Sequence, residues 1–229
     1  MYESHSVCHF FREWGFREGL AAAEKHSEGN FERVSMLGNM QNKFDAVFGD
    51  VALTNQTRFQ LIEFKQDAEG FAEEVKQGKK NRTALHAHLQ TDITCRELSL
   101  QGHVAGYVEG NVLRLDPYYA LCAGLSLSQI QTSYMDLAKD FDAYYDLWNP
   151  QSGNVQLHAG LDSVDFKDYV KCMYQHLETD AFGVLQIFSE KKNAPVPFYG
   201  SVKGLIADLL AAFTELEKIV TKSKRPGGP

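Results

Sequence analysis

The spacing of apolar residues changes several times along the chain. Between residues 5 and 27, Phe10, Phe11, Trp14 and Leu20 stand among charged residues in a pattern that predicts a helix. Gly15 and Gly19 weaken that pattern, since each costs about 1 kcal/mol inside a helix. Asn30 is placed to cap a second helix over 31–40, where Phe31, Val34, Met36 and Leu37 make a partial apolar face. From 43 to 53 (KFDAVFGDVAL) and from 59 to 65 (FQLIEFK), β-branched and aromatic residues crowd together and predict two strands. The polar run Thr54-Asn55-Gln56-Thr57-Arg58 joins them as a hairpin.

Helical spacing returns over 67–89, broken near Gly78. Residues 102–108 and 111–115 predict two more strands around a tight Glu109-Gly110 turn. Asp116-Pro117 is expected to end their pairing, because proline donates no ladder hydrogen bond. A long helix is expected over 126–148, stopped by Asn149-Pro150, and a loop over 151–165. Then come a helix over 166–177, a short strand over 183–188, a Pro-rich turn over 194–197 and a final helix over 202–222. The tail 223–229 reads as disordered. No repeat or linker divides the chain, so this order predicts a single domain over 1–229 of α/β (α+β) class. Its core is expected at about 30–120, with a helical C-terminal extension at about 126–222.

With 229 residues, roughly 70% of the unfolded surface can be buried, so neither a metal nor a disulfide is needed to hold such a fold. Cys8, Cys95, Cys122 and Cys172 are far apart and form no C-x-x-C pair. They read as free thiols of a reducing compartment rather than a disulfide framework or a structural zinc site. The N-terminus lacks the basic and apolar regions of a signal peptide, and no run of about 18 apolar residues suits a membrane span. A cytoplasmic protein without membrane contact is expected. The net charge of −7 argues against a wholesale nucleic-acid coat, but a local basic patch can still contact phosphates.

Chemistry concentrates where the two central strands meet. On the second strand, alternation puts Phe59, Leu61, Glu63 and Lys65 on one face. A hairpin turning near Gln56 sets Asp50 opposite residue 62 or 63, within reach of a cation shared with Glu63. Two carboxylates plus one backbone carbonyl, naturally that of Phe64, suffice for a hard divalent ion that keeps its remaining waters. Lys65 would then orient or deprotonate an attacking water, or stabilise phosphate charge. The bland alternative is an exposed Glu63/Lys65 pair that protects a sheet edge.

Asp50, a spacing of 13 residues, and then Glu63-Phe64-Lys65 resemble the PD-(D/E)XK nuclease superfamily over roughly residues 30 to 90. The resemblance implies a restriction-endonuclease-like mixed central sheet flanked by helices. It also implies Mg²⁺ or Mn²⁺ dependence and hydrolysis of phosphodiester bonds, in DNA more than in RNA. Gly49 stands where the family's name has proline. Asp45 also fits the loose spacing as first acid, and Glu32, or Glu18 less well, is placed to add a helical glutamate. Lys76, Lys79, Lys80 and Arg82 are a basic run on the following helix, suited either to a solvated face or to phosphate contact. Gln66 adjoins the motif lysine. Gln77 is followed at Q-x-x-x-Y spacing by Asn81, so the exonuclease-like branch is not supported. His86 and His88 point apart on a helix, and no serine-nucleophile or phosphate-loop signature occurs. The acids among Tyr134–Trp148 argue against nucleic-acid contact there, leaving the C-terminal helices for a homodimer or a partner protein. A defence, repair or mobile-element role would suit a small nuclease of this kind, by analogy of fold alone. The alternatives are a nuclease-like fold serving as a non-catalytic interaction module, or an RNA-processing nuclease using the same site.

Overall fold

The structure, a computed structural model, describes residues 3–27, 36–42, 49–54, 58–77, 82–124, 141–148, 160–176, 182–189 and 194–201. Strands β1 (Met36–Asn42), β2 (Val51–Thr54) and β3 (Phe59–Phe64) form an antiparallel meander. The chain then crosses one face through helices α2 (Glu69–Lys76), α3 (Arg82–Thr91) and α4 (Ile93–Gly102). It returns as β4 (His103–Glu109), parallel to β3, and pairs antiparallel with β5 (Val112–Pro117). Much later, β6 (Phe182–Ser189) joins the free side of β1, and β7 (Ala194–Ser201) joins β6. The sheet is seven-stranded, in the order β5-β4-β3-β2-β1-β6-β7. This is the mixed sheet flanked by helices expected from the sequence.

Helices α1 (Glu3–Ser27) and α6 (Phe141–Trp148) cover one face. Phe10 and Trp14, four apart on α1, meet Phe141, Tyr144 and Tyr145 above Val51, Leu53, Ile62 and Phe64 of the sheet. Ring centroids of Phe10 and Phe64 lie 5.4 Å apart. Helix α1 runs through Gly15 and Gly19 without a break, and an added Cβ at either would meet nothing within 4 Å. Burial of one stripe outweighs their low propensity. The opposite face carries α2 to α4, the short α5 (Tyr118–Cys122) and α7 (Ser163–His176), with Phe71, Tyr118 and Cys122 packed on Ala105 and Tyr107. On the α1 face, Gly106 leaves room for the Phe64 ring, since a Cβ there would fall 2.3 Å from it.

Several expectations change. Residues 36–40 are strand, not helix: Met36 to Asn39 pair with Thr54 to Val51, and Gly38 and Asn39 are poor helix formers that pairing readily overrides. Of the strand expected over 43–53, only 51–53 is described as strand, in β2, which runs on to Thr54; residues 43–48 lie outside the described set. Asp116 and Pro117 extend the pairing to Ala105 and Val104 instead of ending it. β5 is an edge strand, so a missing N–H there costs nothing. The Pro-rich turn is likewise strand: β7 is the other edge, and Pro195 and Pro197, two apart, direct their nitrogens to a single side. The expected helical extension therefore also supplies two strands of the sheet. Helix α4 was not anticipated; Asp92 caps it by accepting from the Cys95 N–H at 2.9 Å. The free-thiol expectation fails for one pair, because Cys95 and Cys172 are joined as a disulfide, while Cys8 and Cys122 are free. The helix expected over 202–222, the tail and residues 125–140 lie outside the described residues. Among the described residues, no helix is long and apolar enough to cross a membrane.

Candidate metal centre at the end of strands β2 and β3

Register across the hairpin is as the spacing implied. Val51 pairs with Ile62, which sets Asp50 beside the Ile62–Glu63 peptide. The Asp50 N–H donates to the Ile62 carbonyl at 2.8 Å, and Asp50 Oδ2 accepts from the Phe64 N–H at 2.6 Å. N–H and C=O of one strand residue leave on the same edge, so the Phe64 carbonyl faces the Asp50 side. Gly49 makes the approach possible. Its φ is +92°, and an added Cβ would sit 2.9 Å from the Ile62 carbonyl oxygen. Proline, locked near −65°, cannot occupy that conformation, which accounts for the departure from the motif's name.

Glu63, across from Asp50, is fully buried. Its Oε1 accepts from Lys65 Nζ at 2.7 Å, and its Oε2 accepts from Arg82 Nη2 at 2.9 Å. Glu74, nearly buried on α2, approaches Lys65 Nζ at 3.5 Å. Two carboxylates and two cations thus interlock, and only Lys65, with 13% of its side chain exposed, reaches outward. The Lys65 backbone is fixed on both sides, its N–H donating to the Gly106 carbonyl at 3.0 Å and its carbonyl accepting from Ser6 Oγ at 3.2 Å.

Below this quartet lies a stacked aromatic column. The Arg82 guanidinium sits 5.6 Å from the Tyr118 ring centre, and Tyr118 stacks on His103 at 4.1 Å with a 9° tilt. The Tyr169 hydroxyl donates to Ser99 Oγ at 3.2 Å, so it accepts from His103 Nδ1–H at 2.8 Å. Burial, with the Arg82 and Lys65 charges, pulls the His103 pKa down to about 3. His103 is therefore a neutral structural residue at ordinary pH. Burial alone would lower the Arg82 pKa, but Tyr118, Glu63 and Glu74 outweigh it and hold the guanidinium charged. Burial pushes the Cys122 thiol up to about 12, which leaves it an unreactive core side chain.

The structure brings Asp50, Glu63, Phe64 and Lys65 together at one strand end. Arg82 departs from the expected exposed basic run: it is wholly inside, bound to Glu63, and has no surface on which to meet a phosphate. Lys76 is exposed on α2, whereas Lys79 and Lys80 lie outside the described residues, as do Glu32 and Asp45. Glu18 accepts from Tyr145 at 3.2 Å on the α1–α6 side. Gln66 and Gln77 are exposed. Glu74 was missed, although it shares the buried face of α2 with Phe71, three residues earlier, and a carboxylate on an apolar stripe is a legible signal.

As a donor set, Asp50, Glu63 and the Phe64 carbonyl are all hard oxygens, which suits Mg²⁺ or Mn²⁺. Each oxygen of Glu63 already accepts one cation's hydrogen bond. A carboxylate offers about four acceptor positions. The residues fit such an ion in chemistry. Comparison with protein-family models, with curated proteins and with solved structures finds no match.

Proposed function

We propose that the chain is a metal-dependent nuclease that hydrolyses phosphodiester bonds, in DNA in preference to RNA. The observation that carries this reading is the joining of Asp50 Oδ2 to the Phe64 N–H at 2.6 Å, beside Glu63-Phe64-Lys65 at a central strand end. A carboxylate, a buried carboxylate, a carbonyl edge and an amine at one point are unusual unless they share a task, since burying charge is costly. Asp50, Glu63 and the Phe64 carbonyl would hold Mg²⁺ or Mn²⁺. Such an ion lowers the pKa of a bound water and polarises the phosphodiester. Lys65 would hold that water or steady the phosphate charge, and Glu74 would keep the lysine aimed. Lys76 is an exposed cation on the adjoining helix for a neighbouring phosphate.

The resemblance to the PD-(D/E)XK superfamily supports this reading, and so does the mixed sheet with helices on both faces. A reducing cytoplasmic setting and a defence, repair or mobile-element role belong to the same proposal, by analogy of fold. One observation favours a second reading. Arg82 seals Glu63 from the inside, so the quartet can serve as a charged core of a non-catalytic interaction module. Cleavage of plasmid, single-stranded DNA and RNA with Mg²⁺, Mn²⁺ or EDTA separates the two. Metal-dependent cutting that Lys65→Ala abolishes in a folded protein supports the nuclease. A wild-type chain that cuts nothing and binds neither ion leaves the interaction module.

A further inference from the structure

Away from that strand end, three residues of metal-ligating type converge on one point between α3, α4 and α7, and a fourth, His176, flanks them. His88 Nε2 lies 3.3 Å from Cys95 Sγ, and the ligand atoms of His88, Cys95 and Cys172 all fall within 4.8 Å of one another. Among the described residues, this is the one such group of three or more histidines, cysteines or acids. His176 stands one helical turn beyond Cys172 on the same side of α7, and its ring stacks on His88 with centroids 4.0 Å apart. The α3–α4 corner that carries His88 and Cys95 is held by Asp92, whose N–H donates to the His88 carbonyl at 2.8 Å and whose carboxylate caps α4.

We propose that His88, Cys95, Cys172 and His176 form a structural zinc site when the two cysteines are reduced. Two sulfurs and two imidazole nitrogens are the donor set of closed tetrahedral zinc sites, borderline-soft and without a carboxylate. Cys95 is buried and the other three are half-buried, which suits a structural ion rather than an open catalytic one. A disulfide accounts for the sulfurs alone; His88 Nε2 also lies 3.7 Å from Asp92 Oδ2, and His176 stacks on the His88 ring. The disulfide and the zinc site are alternative states, because the ligand is thiolate. Two equivalents of a thiol reductant supply two electrons and two protons to the Cys95–Cys172 bond and leave as their own disulfide. The two thiols formed then release two protons as they bind Zn²⁺. A low-molecular-weight disulfide, accepting the two electrons and two protons and leaving as two thiols, reverses both steps and expels the ion. In the zinc state, α3, whose first residue Arg82 grips Glu63, is tied to α7 through its other end.

The test uses the full chain reduced with a phosphine, and Zn²⁺ competed against a chromophoric chelator. Co²⁺ serves as a spectroscopic substitute. We expect a single tightly held zinc and, with Co²⁺, tetrahedral visible bands with thiolate charge transfer. His88→Ala and His176→Ala should each weaken zinc binding by at least the roughly 10- to 100-fold that loss of an outer partner costs. Both should still form the disulfide when oxidised, which also shows that they fold. Cys95→Ser and Cys172→Ser should lose zinc and disulfide together. Unchanged zinc affinity in either histidine variant, or no Co²⁺–thiolate band in the reduced wild type, overturns the site and leaves a plain disulfide.

Discussion

Arg82 Nη2 lies 2.9 Å from Glu63 Oε2, with both side chains wholly shielded from solvent. Removing one partner of such a pair strands the other charge in a low-dielectric interior, which costs about 3–5 kcal/mol. Lys65 remains on the second oxygen of Glu63, so Arg82→Met should fall at the lower end, about 3 kcal/mol, in urea unfolding. Glu63→Gln combined with Arg82→Met should recover part of that loss. Additive losses in the double variant would show that the two side chains do not depend on each other.

His103 gives the fold a defined acid sensitivity. Its folded pKa is about 3, below its unfolded value of 6.5, so the unfolded chain binds more protons between those two pH values. Stability is then complete above pH 6.5 and declines as pH falls toward 3, at about 1.4 kcal/mol per pH unit within the window. His103→Gln should show a shallower decline than wild type when unfolding is measured at pH 7, 6 and 5. Parallel slopes would contradict a buried, neutral His103.

Gly49, just before β2, is expected to be sensitive to substitution. At φ +92° any L side chain is strained, and a methyl group would press on the Ile62 carbonyl. Gly49→Ala should cost on the order of 1–3 kcal/mol and move Asp50 off the Phe64 N–H. Divalent-ion affinity should fall with it, which isothermal calorimetry reads directly. Wild-type affinity in this variant would separate the conformation of residue 49 from ion binding.

The sequence showed the hairpin and its chemistry because both are local. Alternation along β3 put Glu63 with Lys65, and the turn length set Asp50 across from them. It missed what depends on distant partners. Residues 36–40 carry a weak helical pattern, and only pairing with β2 and β6 makes them strand. The prolines of β5 and β7 read as terminators until their strands are seen to be edges. Arg82 looked like part of a solvated basic run, since nothing nearby in sequence announces the carboxylate, 19 residues earlier, that draws it inside. Cys95 and the residues around it were dispersed in the same way, with Cys172 separated from it by 77 positions.

The central claim concerns catalysis at Asp50, Glu63 and Lys65, and Asp50 is the one whose carboxylate accepts from the Phe64 N–H. Asp50→Asn retains an oxygen for the Phe64 N–H and so should keep the fold, but it removes one charge from the ion site. The most direct measurement is cleavage of supercoiled plasmid by wild type and Asp50→Asn across a Mg²⁺ and Mn²⁺ titration, with EDTA as control. We expect wild type to cut with either ion and stop with EDTA. The variant, folded by circular dichroism, should lose roughly 100-fold or more in rate, the scale on which removing one stabilising group at a reacting centre acts. Cutting that survives EDTA, or equal rates in the two proteins, would contradict the account.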